Sequence, residues 1–222
     1  MICERMRRVV IEVRRVGMRY FSAILCVLLL FAVSTVNASI TGWTCGPDTD
    51  GAITMNYTTL TPDGGEYLLD MDGVQHGYPA HLAGSFTTDT ELDPTVKILE
   101  DVSNDTDFAW ADYHIAIGMT KSFSILSTGI TAPTGWTWVI TAPAADQPLP
   151  GDISPGTGWV GVVNYYKGTG DSVAIGDDGL FGFKVSFLGS TNFYTAQVPT
   201  PEPTTIILLG LGAVSVIRRK RA

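Results

Sequence analysis

Apolar and polar residues alternate over short segments of this chain, and glycine, proline, threonine and aspartate separate the segments. In residues 113–119 the odd-numbered side chains are Tyr, Ile, Ile and Met, whereas His114 and Ala116 lie between them. Residues 181–187 repeat the pattern with Phe, Phe, Val and Phe at the odd positions. A period of two residues predicts β-strands with one apolar and one polar face, which is typical of an antiparallel sandwich.

The pattern predicts an all-β domain over residues 39–198, an antiparallel sandwich of the immunoglobulin-like or jelly-roll type. The predicted strands cover residues 51–60, 65–71, 81–88, 95–103, 111–119, 122–128, 136–142, 158–167, 171–176, 179–189 and 191–198. Trp136 and Trp138 share one face of their predicted strand and are predicted core residues. Prolines predict a long loop over residues 141–158, and residues 198–203 are predicted to form a short extended tether.

The N-terminal segment has the pattern of an export signal. Residues 21–33 form an apolar run that follows Arg19 and precedes Val-Asn-Ala at residues 36–38. This arrangement predicts a signal helix that a signal peptidase removes by cutting between Ala38 and Ser39. Residues 1–38 are therefore assigned as leader and signal peptide, with Met18 as a second candidate for the initiator.

The C-terminal residues 199–222 have three parts. The first is the Pro-Glu-Pro motif Pro201, Glu202 and Pro203, and the prolines at 199, 201 and 203 hold the chain extended and block a helix before residue 204. An uncharged apolar segment of 14 residues follows, which would measure about 21 Å as a helix. A stable transmembrane helix needs more, on the order of 20 residues. A basic tail, expected on the cytoplasmic side of a membrane, comes last and comprises Arg218, Arg219, Lys220 and Arg221.

These three parts, in this order, resemble the PEP-CTERM sorting signal of Gram-negative bacteria. The resemblance implies that an integral-membrane exosortase acts at the Pro-Glu-Pro motif. It also implies export across the inner membrane, a C-terminal helix that holds the chain in the membrane before processing, and a mature protein at the cell surface or in the extracellular space.

A second, shorter resemblance lies in the middle of the chain. Val-Ser-Asn-Asp-Thr at residues 102–106 and Trp-Ala-Asp-Tyr-His at residues 110–114 resemble a pattern in bacterial surface β-sandwich domains attached to this same sorting signal. The resemblance implies a sandwich ectodomain of unassigned biochemical function. It implies no catalytic residues.

Charge is distributed unevenly between the ends and the body of the chain. Only Glu4 and Glu12 of the 22 acidic residues precede Ser39, so 20 lie in residues 39–203, together with four lysines. The body therefore carries a charge near −16, whereas the whole chain carries −8. Such a body repels nucleic acid and anionic lipid and favours solubility or divalent cations. Nucleic-acid binding is excluded on this ground.

Two Asp-x-Asp-Gly segments suggest a cation site. Asp48 and Asp50 precede one glycine, and Asp70 and Asp72 precede another. Calcium prefers several oxygen ligands from a tight loop, but neither segment has the glutamate that completes an EF-hand. Asp-Gly also forms hairpin turns without any cation. Two interpretations are therefore open. The four aspartates either bind calcium or only form ordinary turns.

The histidines offer a second metal hypothesis. His76 and His81, with Asp70 or Asp72, would suit zinc, because imidazole and carboxylate are zinc ligands. Their spacing is not that of a known zinc motif. His114, by contrast, is predicted on a solvated strand face.

Exposed aromatic rings would indicate carbohydrate binding, because a flat ring covers the apolar face of a sugar. Five aromatic residues are considered, Trp43, Trp110, Trp159, Tyr165 and Tyr166, and three of them, Trp43, Tyr165 and Tyr166, are assigned as candidates. The adjacent Tyr165 and Tyr166 must point to opposite faces of a strand. The alternative is that these rings fill the core. Cys45, the one cysteine after the signal peptide, is predicted to be either a small buried hydrophobe or a link to a second chain.

Motifs for catalysis are missing from the sequence, which contains neither Gly-x-Ser-x-Gly nor His-Glu-x-x-His. We therefore expect a non-catalytic secreted or cell-surface protein that acts as an envelope or exopolysaccharide-associated scaffold or adhesion module. No cofactor is expected apart from calcium at the acidic turns. The alternative is a carbohydrate-binding module assisted by calcium, and a hydrolase of surface polymers is the third class.

Overall fold

Alternation of apolar and polar side chains produces eleven β-strands and no helix in the residues that the computed structural model describes, 38–151 and 156–202. The strands are β1 Ile40–Pro47, β2 Ile53–Asp63, β3 Glu66–Gln75, β4 Ala80–Thr88, β5 Thr95–Asn104, β6 Trp110–Met119, β7 Phe123–Thr131, β8 Thr137–Pro148, β9 Thr157–Tyr166, β10 Asp178–Phe187 and β11 Thr191–Pro201. A helical segment with the length and hydropathy of a membrane span is not found within the described ranges. The predicted signal helix, the predicted C-terminal membrane helix, Pro203 and the basic tail lie outside these ranges.

The strands form two sheets. The six-stranded sheet has the order β1-β4-β11-β6-β9-β8, and the five-stranded sheet has the order β2-β3-β5-β10-β7. Neighbouring strands are antiparallel, except for β3 and β5, which pair in parallel. The prediction of purely antiparallel sheets is corrected at this pair. The reason is that β4 lies in the other sheet and returns the chain, so that β5 starts at the same end as β3.

The core lies between the two sheets. Phe181 of β10 stacks on Tyr113 of β6 with ring centroids 4.2 Å apart, and it meets Tyr165 of β9 edge-on at 5.2 Å. Phe187 of β10 stacks on Phe86 of β4 at 5.1 Å. Because β10 belongs to the five-stranded sheet and its partners belong to the six-stranded sheet, these contacts join the sheets into a sandwich.

Ten of the eleven predicted strands correspond to strands of the structure. The two differences, a strand that was not predicted and a predicted strand that does not form, lie where the alternation of apolar and polar residues is weak. Strand β1, which the periodicity does not predict, contains two glycines and a terminal proline in ITGWTCGP and lies at the end of its sheet. The strand predicted over residues 171–176 is wrong, because only Val173 pairs there, in an isolated bridge with Trp110. Trp110 also exchanges two backbone hydrogen bonds with Val173.

The second Asp-x-Asp-Gly segment is part of a strand, and the predicted turn is wrong. Asp70 and Asp72 lie on the outer side of β3, while Leu69 and Met71 are buried between the sheets. Gly73 lies within the strand, and β2 passes so close to it that a Cβ atom there would meet the carbonyl oxygen of residue 54 at 2.9 Å.

Strand β8 replaces much of the loop predicted over residues 141–158, since it runs to Pro148. It lies at the end of the six-stranded sheet, where prolines are tolerated because one side of the strand has no ladder partner. Two bulges in its second half absorb extra residues. Trp138, a predicted core residue, is 40% exposed at this edge of the sheet.

Strand β11 extends to Pro201, so the tether predicted over residues 198–203 is a paired strand over its first four residues. The strand lies inside the six-stranded sheet, between β4 and β6. In the ladder with β6, Val198 pairs with His114 and Thr200 pairs with Asp112. The predicted sorting signal therefore begins within the folded body.

Candidate metal centre

The loop between β1 and β2 presents two carboxylates in a fixed arrangement. Asp48 Oδ1 accepts a hydrogen bond of 3.1 Å from the backbone N–H of Asp50, and Asp50 Oδ1 accepts one of 2.7 Å from the backbone N–H of Ala52. Gly51 takes a positive φ of 75°, which lets the loop turn without steric strain. The loop backbone thus binds one oxygen of each carboxylate and leaves the two Oδ2 atoms on its inner side.

His81 of β4 lies beneath this loop. It pairs in register with Ala196 of β11 and is only 7% exposed. The backbone N–H of Asp48 donates a hydrogen bond of 3.2 Å to the carbonyl oxygen of His81, which holds the loop against the strand. His81 Nδ1 lies 3.2 Å from Asp48 Oδ2 and 3.5 Å from Asp50 Oδ2.

These three side chains form a cluster that could hold a metal ion. Their donor atoms lie within 4.8 Å of one another. In the part of the chain that the structure describes, this is the group of three His, Cys, Asp or Glu side chains that come so close together. About a fifth of each aspartate side chain is exposed, so solvent reaches the cluster from one side. We refer to Asp48, Asp50 and His81 as the DDH cluster.

The electrostatics of the DDH cluster favour the ionised form of Asp50. Partial burial acts to raise the pKa of Asp50, but the hydrogen bond from the Ala52 backbone N–H, the contact with Asp48 and the contact with His81 outweigh it. The pKa of Asp50 therefore lies below its usual value. Ionised carboxylates are the form in which metals are bound.

Asp70 and Asp72, the other predicted calcium ligands, lie on the outer face of the five-stranded sheet and do not join the cluster. Asp72 Oδ1 accepts a short hydrogen bond from Asn56 Nδ2. In the ladder between β3 and β5, residue Asp72 pairs with Asp101. Burial, followed by the charges of Asp178, Asp72 and Asp70, raises the pKa of Asp101. The four aspartates of the two Asp-x-Asp-Gly segments therefore occupy two separate places.

His76 is not brought together with His81. Its Nδ1 pairs with Asp105 Oδ2 at 2.7 Å, and its Nε2 lies 3.1 Å from Thr54 Oγ1. His114 Nδ1 lies 2.8 Å from Asn164 Oδ1 on the outer face of the six-stranded sheet. The pair predicted for zinc is thus divided, and His81 lies with the aspartates that were assigned to calcium.

The three aromatic candidates for sugar stacking do not form one platform. Tyr165 is fully buried and donates a hydrogen bond of 2.7 Å to the carbonyl oxygen of Gly182. Trp43 is half-buried and packs against the core. Tyr166 is 37% exposed and meets the His114 ring edge-on at 5.9 Å. Tyr165 and Tyr166 therefore point to opposite faces, as predicted.

Cys45 of β1 packs as a small hydrophobic residue. Its Sγ lies 3.5 Å from Met71 Sδ. Burial, and then the charge of Glu100, raise the pKa of the Cys45 thiol to about 12. A thiol in this state is a poor nucleophile.

Glu100 is a buried acidic residue that the sequence interpretation did not single out. It is 1% exposed, on the inner face of β5, and Gln197 Nε2 lies 3.3 Å from both of its carboxylate oxygens. Burial raises its pKa to about 7, and the hydrogen bond from Gln197 opposes the shift. The signal was available, because Glu100 occupies an inward position between Ile98 and Val102 in the alternating pattern.

The ends of the described body carry the remaining predicted residues. Ser39 lies one residue before β1, and its backbone N–H donates a hydrogen bond of 2.8 Å to Asp89 Oδ1. At the other end, Pro201 is the last residue of β11, and Glu202 Oε1 pairs with Lys167 Nζ at 2.8 Å. Extended backbone thus leads directly from the sheet into the Pro-Glu-Pro motif.

The family model of the PEP-CTERM protein-sorting motif matches residues 199–221. The chain carries a PEP-CTERM sorting motif. The match confirms the resemblance in the sequence, and the β-rich body is consistent with a surface ectodomain. The PEP-CTERM motif implies recognition by an exosortase, export, and a destination at the cell surface or outside the cell. No curated protein matches the chain.

Proposed function

We propose that this protein is a non-catalytic scaffold or adhesion module of the bacterial envelope, associated with exopolysaccharide after exosortase processing. The observation that carries the proposal is the PEP-CTERM motif, which follows directly on a folded β-sandwich. The charge near −16 of residues 39–203 supports a soluble body that works outside the membrane.

A scaffold needs a rigid surface more than a reactive group, and the described body has that character. Its eleven strands form two packed sheets, and its large aromatic side chains Trp110, Tyr113 and Tyr165 are fully buried. The Cys45 thiol and the Glu100 carboxyl group lie in the interior, away from any polymer that approaches from solvent.

Incubation of the protein with the exopolysaccharide of its host tests this proposal. A scaffold sediments with the polymer and leaves its chain length unchanged, so no new reducing ends appear. Release of reducing ends would instead establish a hydrolase, and absence of the protein from the polymer fraction would contradict an exopolysaccharide-associated role.

One set of three side chains favours the hydrolase class, and it also supplies a control variant for the hydrolysis assay. Thr54 Oγ1, His76 and Asp105 form a hydrogen-bonded chain, with distances of 3.1 Å and 2.7 Å at the two imidazole nitrogens. The order hydroxyl, imidazole, carboxylate is that of a catalytic triad. However, the His76 and Asp105 side chains are 39% and 65% exposed, and water competes with each contact. Any hydrolysis that persists in Thr54→Ala does not come from this chain of residues.

The alternative of a carbohydrate-binding module rests on Tyr166. Its exposed ring lies beside His114, and Asn164 on the same face of β9 supplies an amide. An aromatic ring beside hydrogen-bonding groups suits a sugar, with or without calcium. Under this alternative, Tyr166→Ala abolishes binding to soluble oligosaccharides, whereas Trp138→Ala, on the neighbouring edge strand β8 and on the opposite side of the sheet, does not.

A further inference from the structure

We propose that the DDH cluster, Asp48, Asp50 and His81, binds one divalent first-row transition ion of the zinc class. The site draws its ligands from the β1–β2 loop and from β4, and it differs from both metal sites that the sequence predicts. The inference is independent of the scaffold function.

The distances within the DDH cluster suit a shared ion. Zinc-ligand bonds of about 2.0–2.1 Å in a tetrahedron place neighbouring donor atoms about 3.3 Å apart. His81 Nδ1 lies 3.2 Å from Asp48 Oδ2 and 3.5 Å from Asp50 Oδ2.

A second histidine of the same chain shows the contrast. His76 and Asp105 pair at 2.7 Å on an exposed surface, which is the length of an ordinary imidazole–carboxylate hydrogen bond. His81 faces two carboxylates at once, at longer separations, from a position that is 7% exposed. The buried imidazole is thus directed between two carboxylate oxygens, as a metal ligand would be.

The ligand types select the class of ion. Calcium and magnesium take oxygen ligands, whereas imidazole nitrogen suits zinc, copper, iron and nickel. Two carboxylates and one neutral imidazole balance the double charge of the ion. Three protein ligands also leave a coordination position for water on the exposed side of the aspartates.

Hydrogen bonds within the loop orient the ligands. Backbone N–H groups of Asp50 and Ala52 bind the Oδ1 atoms of Asp48 and Asp50, so each carboxylate presents its Oδ2 to His81. Such outer contacts are typical of metal sites, where they fix the ligand orientation. The bound ion would attach the segment that leaves β1 to strand β4, at the point where the chain crosses from one sheet to the other.

The test uses the full chain, purified in mild detergent with an affinity tag that contains no histidine and stripped with a chelator. Zinc chloride is then added, and bound metal is measured after desalting, in parallel with thermal unfolding. We expect one zinc ion per chain. At 100 times the dissociation constant, the midpoint of unfolding should rise by about 5–10 °C. Calcium chloride should give a much smaller rise.

Cobalt chloride supplies a spectroscopic readout that stability alone cannot mimic. A cobalt ion held by imidazole and carboxylate in a four-coordinate site gives an intense visible absorption, which excess zinc should remove. Absence of that absorption, or binding of less than a tenth of an equivalent of zinc, would overturn the proposal.

The matched variants are Asp48→Asn and Asp50→Asn at the cluster and His76→Gln at the exposed pair. The asparagine variants keep the size of the ligand, and their unfolding without metal shows whether they fold. We expect each to weaken zinc binding at least tenfold, while His76→Gln binds as the wild type does. Equal zinc binding by the wild type and both asparagine variants, or loss of binding in His76→Gln alone, would contradict the assignment.

Discussion

At the scale of single residues, the carboxyl group of Glu100 is the least favourably placed charge in the sandwich. Burial raises its pKa to about 7, whereas an unfolded glutamate titrates near 4.5. The native state therefore binds more protons than the unfolded state between these values. The contribution of Glu100 to stability is therefore greatest below the unfolded pKa and is lost as the pH rises through the native pKa. The full loss is about 3 kcal/mol, because each tenfold difference in proton affinity between the two states corresponds to roughly 1.4 kcal/mol.

Glu100→Gln should remove this penalty, because the amide stays neutral at every pH. We expect the variant to gain up to about 3 kcal/mol over the wild type at pH 8, and much less at pH 5. Urea unfolding at the two pH values measures the difference. Glu91→Gln, at an exposed glutamate that pairs with Lys121, is the control. A gain for Glu100→Gln that is the same at both pH values would show that packing, and not the buried charge, is responsible.

At the scale of elements, the attachment of β1 to the sheet depends on Gly84 of β4. A Cβ atom at this position would lie 2.1 Å from the carbonyl oxygen of Thr44 and 2.5 Å from the Phe193 ring. Strands β1 and β11 therefore approach β4 at residue 84 more closely than a residue with a Cβ atom would allow.

Gly84→Ala should destabilise the protein by roughly 1–3 kcal/mol or more, because the extra methyl group overpacks both contacts. Gly46→Ala is the matched control, since Gly46 lies in β1 and a Cβ atom there would have nothing within 4 Å. Denaturant unfolding of the two variants measures the difference. Equal stabilities would mean that β1 is not held as closely as the contacts indicate.

The end of β11 places Glu202 of the PEP-CTERM motif against the folded body. Glu202 of the motif pairs with Lys167, and both side chains are about one-third exposed. An exosortase that reads the motif must first take Glu202 away from Lys167. Such a partly exposed pair contributes at most about 1 kcal/mol, so its loss leaves the fold intact.

Lys167→Met should therefore speed processing while lowering the free energy of unfolding by no more than about 1 kcal/mol. The rate is followed as conversion of full-length chain to the processed form in a pulse-chase experiment. Lys121→Met, which removes a comparable surface ion pair with Glu91, should process at the wild-type rate. Slower processing in Lys167→Met would mean that the pair presents the motif to the enzyme instead of withholding it.

Elements with strict alternation could be predicted from the sequence, and edge elements could not. Strands β6 and β10 lie inside their sheets and repeat an apolar residue at every second position. Strands β1 and β8 lie at sheet edges, where glycine, proline and bulges weaken the pattern. The parallel pairing of β3 with β5 depends on which strand enters which sheet, and local periodicity carries no information about that choice.

The candidate site follows the same division. The carboxylates of Asp48 and Asp50 could be identified from their spacing before a glycine. Their contact with His81 could not, because it depends on the antiparallel pairing of β1 with β4, a strand that begins more than thirty residues further along the chain. The same tertiary pairing separates His81 from His76, its neighbour in the sequence.

At the scale of the whole molecule, a PEP-CTERM motif follows an acidic β-sandwich with no intervening linker in the described residues. The acidic body repels anionic surfaces, while the basic residues at 218–221 favour retention of the tail on the cytoplasmic side. Processing would divide these two opposite charges between separate molecules and leave a body near −16 outside the membrane.

The intact mass of the protein recovered from the envelope and medium of a host with an exosortase is the decisive test of processing at the PEP-CTERM motif. We predict a form that begins at Ser39 and lacks residues 204–222, together with retention of the C-terminal segment when the exosortase is deleted. Replacement of Pro201, Glu202 and Pro203 by alanine should have the same effect as the deletion. Recovery of full-length C-termini alone from the host with an active exosortase would contradict the account.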